Sequence, residues 1–149
     1  MELNILRADP AGNITVFVLD PVEKAQRAAI AEKIMAIPAL KAEQVGYACT
    51  AEDDVDGHIE PASMPGAAAR LQMMGGEFCG NATRAYGMYI AQQKGGLSSV
   101  RLRVSGCDHA VTAQVDLKSG TARAEMPCPR SVKRVTVNGH EGTLVDLTG

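Results

Sequence analysis

Aromatic side chains are scarce in this chain. Two Phe, three Tyr and no Trp stand among 149 residues, so a core has to be built from Ala, Val, Leu, Ile and Met, and no aromatic platform for stacking bases is available. Charge of one sign is lacking as well. Fifteen Lys plus Arg oppose seventeen Asp plus Glu for a net charge of −2, which gives no electrostatic footprint for nucleic acid. No apolar run approaches the roughly 20 residues that would span a bilayer. Cysteines occur at 49, 79, 107 and 128 without a C-x-x-C pair, and the N-terminus has no signal-peptide pattern. The expectation is a cytoplasmic protein with reduced thiols. His58, His109 and His140 are far apart, with only Cys107 and His109 as near neighbours, so a metal site is not expected. Hydrophobic residues at 46% and charged residues at 21% match a folded globular domain, and the length suits a single one.

What the chain does have is a concentrated stretch from Gly75 to Ala91, GGEFCGNATRAYGMYIA. Gly75 and Gly76 permit a sharp bend before Cys79. Ala82, Ala85, Tyr86, Tyr89 and Ile90 then follow the i, i+3, i+4, i+7, i+8 stripe of a helix with one buried face. Gly95 and Gly96 supply its stop, so the helix is expected to reach about Lys94. Cys79 falls at the helix entrance, where unpaired N–H groups and the peptide dipoles favour anions. A thiol there loses its proton more readily than a free cysteine, whose pKa is about 8.5. The N–H groups of Gly80 and Asn81 suit a substrate carboxylate beside it. An isolated cysteine is otherwise a small buried hydrophobe, but the Gly-rich flanks of Cys79 build sites rather than cores.

Elsewhere the pattern is that of an α+β domain. Residues 1–8 and 14–19 read as strands joined through a PAGN turn containing Asn13. Asp20, Pro21 and Glu23 suggest an N-cap, a first helical position and a capping box. The helix they open is expected to run to about Ile37 before Pro38, with Ala25, Ala28, Ala29, Ile30, Ile34, Met35 and Ile37 on its buried side and Glu23, Lys24 and Arg27 opposite. QVGYAC at 44–49 reads as a short strand. The acidic segment from Glu52 to Gly57 fails as an EF-hand calcium loop, because its twelfth position is Ser63, and is expected to be a solvated loop. His58–Met64 and Ala67–Met74 form a candidate hairpin. Five short strands follow the Ala82 helix, near 100–105, 110–117, 122–127, 132–137 and 143–147, with turn residues between them. The fold expected is an antiparallel sheet or open barrel wrapped around the Ala82 helix, with the Val22 helix outside.

The segment EFCGNATRA resembles the Cys-Gly-Asn region of the diaminopimelate epimerase superfamily, whose members invert amino-acid centres without pyridoxal phosphate. ADPAGNITV at 8–16, EQVGY at 43–47 and VSGC at 104–107 agree in order and spacing. The wording PxGNxT, EQVG, EFCGNAT and VSGC is closer to the histidine racemases of staphylopine-type metallophore pathways. The resemblance covers the first half of a pseudo-twofold protein with one catalytic cysteine in each half. It implies a cofactor-independent two-base racemase in which Cys79 is one base, while Asn13, Gln44, Gln72, Gly80 and Asn81 address an amino-acid substrate. The second cysteine would come from a missing C-terminal half or a homodimer mate. Gln72 stands where diaminopimelate epimerase has an Asn, which favours histidine over diaminopimelate. Other readings on the same scaffold are a proton-shuttling isomerase of unsaturated acids and a non-catalytic binding domain.

Overall fold

The computed structural model describes residues 2–49 and 69–146. The expected acidic loop at 52–57 and the first strand of the 58–74 hairpin lie outside them. Nine strands and two helices are present among the described residues: β1 (Ile5–Ala8), β2 (Thr15–Val18), α1 (Lys24–Met35), β3 (Gln44–Cys49), β4 (Ala69–Met73), α2 (Gly80–Gln93), β5 (Ser99–Val104), β6 (Val111–Asp116), β7 (Thr121–Ala124), β8 (Ser131–Val137) and β9 (His140–Asp146).

Strands β1 to β7 form one curled sheet in sequence order. It is mixed rather than antiparallel, which corrects the expectation from sequence. Pairs β2–β3 and β4–β5 are parallel, because each is joined by a helix and a crossover returns the chain in the direction it started. Helix α2 lies on one face, with Phe17, Leu71, Leu102, Val111 and Ala113 packed around its Ala82, Tyr86 and Ile90. Leu6 and Ala8 of β1 and Ala122 of β7 also reach this cluster, so both outer strands curl towards the helix. Gly87 makes the approach to β6 possible: a Cβ there would sit 2.5 Å from that of Ala113. The helix ends in a Schellman motif, with Gly96 N–H bonded to Ala91 O at 2.8 Å and Gly95 N–H to Gln92 O at 3.3 Å.

Helix α1 covers the opposite face, where Ile30, Ala31 and Ile34 meet Val16, Val18, Val45 and Tyr47. Strand β2 is therefore buried on both sides, Phe17 facing α2 and its neighbours facing α1. Two details of α1 differ from expectation. Asp20 does not cap the helix, since its carboxylate accepts the backbone N–H and the side-chain amide of Asn4, tying β1 to the end of β2; α1 begins at Lys24 with Glu23 as a cap that makes no side-chain bond. Ala25, Ala28, Ala29, Met35 and Ile37 are exposed, whereas Arg27 is buried. The guanidinium of Arg27 lies 5.6 Å from the centroid of the Tyr47 ring, its Nε donates to Val22 O, and the Tyr47 hydroxyl donates to Arg27 O. These contacts draw the long side chain under the helix.

Strands β8 and β9 form a separate two-stranded sheet instead of extending the main one. Pro127 and Pro129 follow β7, and proline cannot donate to a continuing ladder.

Candidate active site

The turn after β1 places two successive residues in left-handed backbone. Ala11 and Gly12 have φ of 62° and 92°, and Gly12 N–H bonds to Asp9 Oδ1 at 2.7 Å, an Asx-type closure. Arg84 of α2 donates to Pro10 O at 3.3 Å, anchoring the turn to the helix. Asn13 leaves this turn and Thr15 starts β2, two residues on and hence on the same side of the strand.

Parallel pairing places Gln44 beside Thr15. Gln44 Nε2 accordingly reaches Asn13 Oδ1 at 2.8 Å, Thr15 Oγ1 at 2.7 Å and Cys79 Sγ at 3.3 Å. Its two hydrogens are shared among three acceptors. Asn81 Nδ2 donates to the same Asn13 oxygen at 3.3 Å, and Asn13 Nδ2 donates to Glu43 Oε2 at 3.2 Å.

Cys79 is the N-cap of α2, in extended conformation at φ −129° and ψ 109°, and its sulfur accepts the Ala82 N–H at 3.4 Å. Its carbonyl receives the Thr83 N–H at 2.9 Å and the Thr83 hydroxyl at 2.8 Å. Two N–H donors from different elements thus point at one half-buried sulfur. The N–H groups of Gly80 and Asn81 belong to the first helical turn and have no acceptor within the helix. A Cβ on Gly80 would lie 2.9 Å from Met126 Sδ, so the start of α2 is also closely approached by the segment after β7.

The structure therefore gathers Asn13, Gln44, Cys79 and Asn81, with Gly80 between the last two. Gln72 is placed differently. It lies on β4, 8% exposed, and its amide donates to Met73 O at 3.2 Å; the bonds that gather the other residues are made without it. Thr15 and Thr83, both fully buried, are site residues that the sequence reading did not single out. Each is the final letter of a motif already noted, PxGNxT and EFCGNAT.

The other cysteines sit in other surroundings. Cys49 Sγ lies 3.5 Å from Tyr47 O, and Cys128 is exposed. Burial pushes the Cys107 thiol up to about 11, with the Asp108 and Glu125 carboxylates adding to the effect. Among the described residues, no three His, Cys, Asp or Glu side chains gather as metal ligands, and no helix is long and apolar enough to cross a membrane.

Comparison with known proteins assigns the chain to a family. Residues 2–148 match the family described as histidine racemase CntK N-terminal domain. A histidine racemase of Fusobacterium nucleatum is 30% identical over 99% of this chain and 52% of its own length. One from Staphylococcus aureus is 30% identical over 87% of this chain and 44% of its own length. The chain spans about half the length of the curated relatives it matches. It belongs to the histidine racemase N-terminal domain family.

Proposed function

We propose that this chain is the N-terminal half of a cofactor-independent histidine racemase and contributes one of its two proton-transfer groups. The observation that carries the reading is the convergence of Gln44 and the α2 N-terminus on Cys79 Sγ, with the Asn13 and Asn81 amides alongside. In the deprotonated state Cys79 is the base for one face of the substrate. It takes the Cα proton and becomes a thiol, while the C–H electron pair passes into the carboxylate as enolate character. The Gly80 and Asn81 N–H groups at the helix start stabilise that developing charge. A thiol on the opposite face returns a proton to Cα and becomes the thiolate, so the reverse reaction begins from the mirror arrangement. That second group belongs to a C-terminal half, in a pseudo-twofold arrangement, or to a homodimer mate. Asn13 orients the substrate amino acid through its amide.

The test is to supply L-histidine and LL-diaminopimelate to the 149-residue chain and to a protein in which it is joined to a C-terminal half of the family. Chiral chromatography should show no turnover by the monomeric chain and D-histidine from the joined protein, with histidine exchanging its Cα proton faster than diaminopimelate. Racemisation by the monomer that disappears in Cys79→Ala would refute the half-site reading. Preference for diaminopimelate would overturn the substrate.

A further inference from the structure

The motif VSGC at 104–107 lies at the end of β5, more than twenty residues after Cys79 in sequence. We infer that Ser105 and Gly106 form a positioning grip that sets where the Cys79 cap stands. The inference rests on Cys79 being the reacting thiol.

A turn runs from the end of β4 through Gly75 and Gly76 to Glu77, closed internally by the Gly76 N–H on Met73 O at 3.0 Å. One hydroxyl holds both of its ends. Ser105 Oγ accepts the Met73 N–H at 2.9 Å and donates to Glu77 O at 2.8 Å, and Ser105 is fully buried. Its own N–H bonds to Leu71 O at 3.0 Å, so the hydroxyl is referenced to the sheet. Burial matters because the Met73 N–H, on a residue that is itself buried, would have no solvent to replace a lost partner.

Gly106 completes the grip by contact. It has φ of +70°, and a Cβ on it would stand 2.3 Å from Phe78 N and 2.8 Å from Glu77 C. Backbone here touches backbone, so no flexible side chain can move aside to admit a methyl group. Glu77 and Phe78 are the two residues before Cys79. Fixing them fixes the extended cap from which Cys79 Sγ meets the Ala82 N–H and the Gln44 amide. A displacement of about 1 Å in a reacting group is enough to cost orders of magnitude in rate, so control of this entry is worth a dedicated hydroxyl.

The experiment uses the chain itself and reads alkylation, not turnover. A chain whose Cys79 is held as described and yet gives no racemase when joined to a second half would sink the proposed function and leave this inference standing. Cys79 iodoacetamide rates, mapped by mass spectrometry well below the unfolding temperature, are compared among native protein, Ser105→Ala, Ser105→Thr and Ile34→Ala. The last removes buried volume on the α1 face, remote from the grip. Ser105→Ala should slow Cys79 by about fivefold or more, because the sulfur loses its fixed donors. Ser105→Thr, which keeps the hydroxyl, and Ile34→Ala should stay within about twofold of native. A Ser105→Ala rate within twofold of native, a Thr variant as slow as the Ala variant, or an equal loss in Ile34→Ala would overturn the inference. Should Ser105→Ala fail to fold, hydrogen exchange on the native chain decides. The Met73 amide should be protected as strongly as the β4–β5 ladder, and exchange at the rate of an open loop would overturn the grip.

Discussion

Gln44 Nε2 lies 3.3 Å from Cys79 Sγ, although the two residues are 35 positions apart in the chain. The contact exists because β3 runs parallel to β2 with Gln44 in register with Thr15. It sets the Gln44 amide against the thiol as well as against Asn13 and Thr15. Replacing the amide by an apolar group of similar size, Gln44→Leu, should slow alkylation of Cys79 by about tenfold, the worth of one hydrogen bond to a charged group. Thiol-specific labelling kinetics check this. An unchanged rate would mean that the amide only serves Asn13 and Thr15.

The four cysteines should separate by reactivity. Cys79, with two donors on its sulfur, should be alkylated first by limiting iodoacetamide near neutral pH, ahead of the exposed Cys128. Cys107, pushed up to about 11, has only roughly one thiol in a thousand ionised at pH 8. Its rate should climb about tenfold per pH unit and level off only near that value. Mass-spectrometric mapping across pH distinguishes the four directly, and a Cys79 modified last would withdraw its assignment as the base.

Gly87→Ala should destabilise the fold even though alanine is the better helix former. The helix-propensity gain is up to about 1 kcal/mol, whereas the added methyl would stand 2.5 Å from the Ala113 Cβ, and overpacking of this kind costs about 1–3 kcal/mol. The expected net loss is about 1–2 kcal/mol by urea denaturation. A gain in stability would show that α2 can move off β6 without cost.

Much of the site was legible because its signals are local. Gly75, Gly76 and the stripe from Ala82 to Ile90 predict a cap and a buried helix face, and Cys79 is that cap. The PAGN pattern puts Asn13 in a turn, but only the family resemblance points it towards a substrate. The remainder depends on register and on partners distant in sequence. The Gln44 contact requires the parallel pairing, and that pairing follows from the α1 crossover, which strand patterns read as antiparallel do not reveal. Arg27 reads as a polar-face residue until Tyr47 supplies its ring and hydroxyl. Asp20 has every mark of an N-cap, yet Asn4 offers it two donors across the β1–β2 pair. Ser105 reads in sequence as the last residue of a strand and one letter of the VSGC motif. Its importance lies in two backbone groups, on Met73 and Glu77, that come within reach of it only in the folded chain.

Cys79 is proposed as one of two proton-transfer groups, one for each face of the substrate. The most direct measurement follows L-histidine in D2O with the chain joined to a C-terminal half of the family, resolving the two enantiomers by chiral chromatography and measuring deuterium in each by mass spectrometry. At early times D-histidine should carry solvent deuterium at Cα while the remaining L-histidine carries little, since opposite faces are served by different groups. Cys79→Ala should abolish formation of D-histidine. Undiminished D-histidine from Cys79→Ala would contradict the account.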